Sequence, residues 1–437
     1  MDSVLPSPNK SRIGFHYYPD TVHYRETDLA AWLPELKAMA AGWLTLNAPL
    51  NRAIPEVFLR QLLAEHIEPV LHFHFQPTEP PEIEEFSLLC RTYARWGARY
   101  VVLFDRPNLL KYWPASVWAQ SSLVERFIDV FQPLALAAAR NGMIPVFPPL
   151  EPGGDYWDTA FLRTAFESLL RRNQSMLLDR LVISGYARSN GHPLSWGCGG
   201  PARWPNAQPY NTPAGSEDQR GFRIFDWYLA LSEAVFGAPR PMLLFGIDHS
   251  LDQPGTSETL APDLHTTQNL LIARLLKGEK VENDPIPAQV LAGNFWLLTS
   301  TKDDPAASAA WFQADGSPLP AVGALRQWAA SHGWCQPATD KMLRPLPASP
   351  AHSQPITHYL LLPNIEWAAS ARYLDLIRPF IDQHRPTIGF SPAEAVHAQK
   401  VTVMGAPEQI PDSILEALTT AGCMVEDMRG DGTTIAS

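Results

Sequence analysis

Three carboxylates, Asp105, Glu151 and Asp248, each stand just past a short apolar run. Carboxylates that face one another across a cleft are what hydrolytic chemistry uses as general acid and as base or nucleophile. Arg106 follows the first of them directly, so a local ion pair is the alternative for Asp105. His72 and His74 flank a single phenylalanine. In an extended run alternate residues share a face, so both imidazoles point the same way, as metal ligands or as the polar lining of a cleft. Tyr17, Asn47, Asn108, Tyr186, Trp196 and Trp296 complete a set able to hydrogen-bond to and stack on a ring-shaped ligand. Residues 186–210, rich in glycine, proline and tryptophan, form either a binding wall with Trp196 and Trp204 as platforms or a packed rim.

Such residues need a scaffold that gathers them, and the periodicity supplies one. Short apolar runs at 12–18, 43–47, 68–75, 100–104, 144–147, 181–185, 242–246 and 290–298 alternate with helical patterns. Eight units in this order predict an α/β fold, a (β/α)8 (TIM) barrel over residues 11–335 after a tail of residues 1–10. An open doubly wound sheet would need a glycine-rich first turn, and no GxGxxG follows the first run. In a parallel barrel the chemistry gathers at the carboxyl ends of the strands, and the residues named above fall there. Residues 336–356 are proline-rich without periodicity, which predicts a linker. Beyond it, strands at 358–362, 400–404 and 423–426 and helices at 366–383 and 411–421 predict a small α/β sandwich-type domain over 357–437.

Composition narrows the function classes. The 34 basic and 45 acidic residues leave a net charge of −11, which does not furnish the basic face that nucleic acid requires. No apolar run reaches the length that spans a bilayer, so no membrane contact is expected. Cys90, Cys198, Cys335 and Cys423 are scattered without a CxxC pair, which is neither a disulfide framework nor a zinc signature; no cofactor and no metal are expected. The first residues lack the apolar stretch of a signal peptide, so the chain as written is expected in the cytoplasm, or outside the cell if it is a piece of something longer.

The stretch VVLFDRPN (101–108) resembles the fourth-strand motif of cellulase-like (β/α)8 glycoside hydrolases, where Asn-Glu-Pro follows an apolar strand. LFGID (244–248) resembles the seventh-strand segment that carries that family's nucleophile, and Trp296 resembles the tryptophan that floors its sugar subsite. The resemblance implies a glycan or small carbohydrate ligand. It also marks a departure: Arg106 stands at the family's acid/base position, and an arginine stays cationic and cannot shuttle a proton. No Glu ends the seventh strand, and Asp248 lies beyond the expected place. Retaining hydrolysis needs carboxyl groups about 5 Å apart and inverting hydrolysis roughly 6.5–9.5 Å. If the barrel is an enzyme, Asp105 would be the acid and Asp248 or Glu151 the nucleophile or base, with Trp296, Trp196 and Tyr17 holding the glycan. The other reading is a catalytically silent barrel that binds glycan or a protein partner.

The His-x-His pair is similar to that of metal-dependent amidohydrolase barrels, but those carry it on the first strand with a lysine at the fourth. Here it is on the third with no such lysine, which leaves metal-dependent hydrolysis as a third reading. Residues 401–436 resemble one repeat of a cell-wall-binding type 2 family, which implies a cell-wall or protein partner for 357–437.

Overall fold

The computed structural model describes residues 11–247, 262–279, 285–332, 356–363, 377–407 and 409–429. The chain divides into two compact units, Met1–Pro337 and Ala338–Ser437. In the first, eight parallel strands follow one another around a ring. They are β1 (Ile13–His16), β2 (Trp43–Asn47), β3 (Glu68–Phe73), β4 (Tyr100–Leu103), β5 (Ile144–Val146), β6 (Ile183–Tyr186), β7 (Met242–Phe245) and β8 (Val290–Phe295). Their hydrogen-bonded order is β5-β4-β3-β2-β1-β8-β7-β6. The ring is nearly closed, because β5 and β6 meet through a single parallel bridge, Val146 to Val182. There the Phe147 N–H donates to the Val182 carbonyl at 2.8 Å and the Val182 N–H to the Pro145 carbonyl at 3.1 Å. Ser184 Oγ adds a bond of 2.6 Å to the Phe147 carbonyl.

The barrel interior is filled by inward side chains, among them Trp43, Val70, Tyr100, Val146, Val182 and Phe245. Gly14 makes room for them: a Cβ there would lie 2.3 Å from Asn294 Oδ1 and 2.9 Å from Trp43 Cβ. The helices cover the outside by their periodic apolar faces. Leu123–Arg140 buries Val124, Phe127, Phe131, Leu134 and Ala138, three or four residues apart, with Glu125 in its first turn and Arg140 in its last. Gly142, at φ +89°, supplies the left-handed residue that turns the chain into β5.

Several strands end sooner than the apolar runs do. β1, predicted to reach residue 18, stops at His16: the Tyr17 N–H still donates to the Thr45 carbonyl at 3.0 Å, but the side chains of Tyr17 and Tyr18 pack as loop core. Tyr17 is fully buried against Tyr24 and Phe58. β3 likewise stops at Phe73, and Phe75 packs on Phe73 and Phe86. Apolar continuity signals burial, not strand pairing. The segment after β6 contains one short helix, Gly200–Arg203.

The second unit is a four-stranded parallel sheet in the order β10-β9-β11-β12. Its strands are β9 (Ile356–Leu361), β10 (Thr387–Gly389), β11 (Ala398–Val403) and β12 (Met424–Asp427). Tyr359, Leu361, Val401 and Val403 pack on one face, Leu360 and Leu362 on the other, so the alternation of β9 is that of a strand covered on both sides. Three of these strands agree with the expected ones. β10 and the helix Pro392–Ala395 were not foreseen, because three residues beside prolines show no period. The linker expected at 336–356 lies outside the described residues except for Ile356, which opens β9; the first part of the helix expected at 366–383 lies outside them too, and its end is helical over 377–384. Among the described residues no helix is long and apolar enough to cross a membrane, and Cys90, Cys198 and Cys423 are buried and outside any disulfide.

Candidate functional site at the barrel mouth

Asp105 owes its place to a sharp bend at the end of β4. Phe104 and Arg106 on either side of it both take left-handed backbone, φ +67° and +48°. Non-glycine residues hold this conformation only where their surroundings over-determine it. The Phe104 N–H donates to the Phe73 carbonyl and the Arg106 N–H to the Pro149 carbonyl, each at 2.9 Å. The buried His72 Nε2–H donates to the Phe104 carbonyl at 2.9 Å, which settles that ring's tautomer. Asp105 is thereby buried, while Arg106 beside it stays partly exposed.

Both oxygens of Asp105 are taken. Tyr186 donates its hydroxyl to Oδ1 at 2.7 Å, and Arg106 donates Nε–H to Oδ2 at 2.8 Å. His74 Nδ1 is 3.9 Å from Oδ2. Burial opposes the charge of this carboxylate, but Arg106, His74, His72 and the Tyr186 hydroxyl outweigh it and hold its pKa below the usual range. Arg106 then reaches toward the second carboxylate: Nη1 is 3.6 Å from Glu151 Oε2. Arg188, after β6, places its Nη1 3.8 Å from Glu151 Oε1. Both guanidiniums pack over the Tyr186 ring, at 5.5 Å for Arg106 and 4.7 Å for Arg188. Arg106 thus stands between Asp105 and Glu151.

Beneath them lies an aromatic and imidazole floor. His16 projects into the barrel from β1, two residues beyond Gly14, with its ring 5.3 Å from Phe245 and 4.9 Å from Trp296. His72 stacks on Phe245 at 5.8 Å and lies 4.1 Å from His74. Burial keeps both inner rings neutral: the His72 pKa is pushed down to about 3, and that of His16 lies well below the ordinary 6.5. His16 Nε2 is buried and has no hydrogen-bond partner among the described residues. Trp296 is half-buried at the rim. Asn47 accepts from His74 Nε2 at 3.1 Å and donates to the Pro19 carbonyl at 2.8 Å.

The remaining expected residues fall elsewhere. Asn108 is fully buried; its amide donates to the Glu151 and Tyr156 carbonyls and accepts from the Glu151 N–H, each at 2.9 Å, so it braces the loop that carries Glu151. Tyr17 has no exposed face. Trp196 stacks on His192 at 4.0 Å and donates to Asp218, while Trp204 donates to the Cys198 carbonyl, so both indoles are engaged within their own loop. Asp248 lies outside the described residues. Two members of the mouth, His16 and Phe245, were not anticipated. The inward alternation from Gly14 would have found His16. Among the described residues no group of three His, Cys, Asp or Glu side chains is arranged to hold a metal ion.

No family model matches the chain, and no curated protein matches it. Among solved structures it is similar to a monomeric beta-xylosidase from Caulobacter crescentus CB15, at 13% identity over 75% of this chain and 69% of that one, with a TM-score of 0.46. It is also similar to a thermostable mutant of a xylanase from Cellvibrio japonicus, at 11% identity over 74% and 98%, TM-score 0.44. A third is a GH128 (subgroup II) endo-beta-1,3-glucanase from Sorangium cellulosum, at 14% identity over 72% and 97%, TM-score 0.40. These three neighbours are glycoside hydrolases. The likeness is one of fold, and it carries nothing about substrate or about which residues act.

Proposed function

We propose that the barrel binds carbohydrate at this mouth and does not hydrolyse it. The observation that carries the reading is Arg106 standing between Asp105 and Glu151. A general acid has to hold a proton at working pH and present it to the leaving oxygen. Asp105 does neither, being held ionised with both oxygens occupied. What the mouth offers instead is recognition chemistry. Trp296 gives an apolar rim for a sugar face, Asn47, His74 and Arg188 give polar groups for hydroxyls, and the orphan His16 Nε2 would find a partner in a ligand hydroxyl. The barrel would be residues 11–335, joined by a linker at 336–356 to the α/β domain at 357–437.

A hydrolysis screen on aryl-glycosides and polysaccharides tests this, run beside glycan binding and with Asp105→Asn, Glu151→Gln and Asp248→Asn. The expected result is no turnover by any form, with glycan bound by the wild type and weakened about tenfold or more by Trp296→Ala, the loss of one stacking contact. Wild-type turnover that collapses in a carboxylate variant would instead establish a hydrolase and name its residues.

A further inference from the structure

We infer that the glycan taken at the mouth carries a carboxylate, received by the guanidiniums of Arg106 and Arg188 in place of Glu151. The inference rests on the proposed carbohydrate binding and specifies its ligand. Arg188 is held in position by packing. Its guanidinium lies over the Tyr186 ring, and the absence of a side chain at Gly246, itself at φ +54°, makes the space: a Cβ there would stand 3.3 Å from Tyr186 Cδ1 and 3.4 Å from Arg188 Nε. Yet among the described residues Arg188 donates no hydrogen bond, and its nearest anion, Glu151 Oε1 at 3.8 Å, is beyond hydrogen-bond reach. Arg106 spends Nε on Asp105, while its Nη1 is 3.6 Å from the other oxygen of Glu151.

Two guanidiniums, each fixed by its own packing, therefore face one carboxylate that accepts a hydrogen bond from neither. A planar carboxylate seated between them would make paired N–H···O bonds, the geometry in which arginine binds anions best; a neutral hydroxyl cannot take both oxygens' worth of donors. Glu151 has somewhere to go. Its backbone is clamped by Asn108, but its side chain is 29% exposed and can turn to water. Charge balance agrees: Asp105 already offsets Arg106, so the ligand replaces Glu151 as the counter-charge of Arg188.

The test is a calorimetric titration of the full chain with uronate-containing oligosaccharides and with neutral oligosaccharides of the same linkage and length. The acidic ligands should bind at least tenfold more tightly, and that margin should shrink when salt is raised from about 50 to 500 mM, as for any exposed charge pair. Arg188→Met should erase the margin between the two classes, weakening the acidic ligands far more than the neutral ones. Arg188→Lys, which keeps the charge and loses the fork, should recover only part of the margin. Glu151→Gln should tighten acidic binding several-fold by removing the competitor. Equal binding of both ligand classes, or a preference that survives Arg188→Met, overturns the inference and leaves carbohydrate binding standing. Binding of neither class overturns both.

Discussion

Arg106 shows how one residue type changes what a site can do. Its guanidinium does not simply remove a proton donor; it recruits Asp105 as a permanent counter-ion and faces Glu151 with its remaining donors. Tyr186 shares in this, since its hydroxyl occupies Oδ1 of a carboxylate whose side chain is 4% exposed. Tyr186→Phe should therefore leave a buried carboxylate oxygen short of a donor and destabilise the protein by about 1–3 kcal/mol in urea denaturation. A loss below about 0.3 kcal/mol would mean water reaches Asp105 freely. That Arg106 cannot act as an acid was legible from the sequence, because it follows from the residue type alone. The ionisation of Asp105 was not, because it depends on Tyr186, distant in sequence, and on two imidazoles from the neighbouring strand.

At the scale of elements, the mouth is held by a buried polar anchor behind it. Asp158, the first residue of the helix Asp158–Arg172, accepts from the Gly153 N–H at 2.9 Å, from Gln219 Nε2 at 2.6 Å and from the Tyr228 hydroxyl at 2.8 Å. It ties the loop of Glu151 to the long segment after β6 and to the helix Ile224–Phe236. Complete burial pushes its pKa up from 3.8 to about 6, against the pull of those three donors. A folded pKa above the unfolded one means that the carboxyl favours the fold most at low pH, and that this contribution fades as pH rises from about 4 through about 6. Relative to Asp158→Asn, wild-type stability should thus fall by about 2–3 kcal/mol between pH 4 and pH 7, read from urea midpoints. A gap that stays constant would show that the carboxyl titrates alike folded and unfolded. Nothing in the local sequence marks Asp158 apart from Asp155, whose carboxylate receives the Leu110 N–H near the surface.

For the whole molecule, the ring is only as secure as its narrowest joint. β2 and β3 share five register pairs, Trp43–Glu68 to Asn47–His72, whereas β5 and β6 meet at one bridge reinforced by Ser184. Backbone amides in the thinnest part of a sheet open at lower cost than those in its centre. Hydrogen exchange should then find the Phe147 and Val182 amides exchanging well before those of Leu46 and Leu71. Equal protection around the ring would mean that the helices, not the ladder, set its stability. This joint lies directly below Tyr186, so opening it would reach the site.

Periodicity alone determined the eight alternating units, the strands of the barrel to within a few residues at their ends, and most of the smaller sheet. It also determined that His72 and His74 share a face, since these properties follow from local geometry repeated along the chain. Residue chemistry alone determined that Arg106 cannot transfer a proton. The tertiary structure decided the rest. It turned Asn108 from a ligand contact into a brace, sank Tyr17 into the core, brought His16 and Phe245 under the mouth, and set Arg188 against Gly246 beside Glu151. Charge state, burial and the presence of a hydrogen-bond partner are properties of contacts between residues far apart in the chain, and no local pattern encodes them.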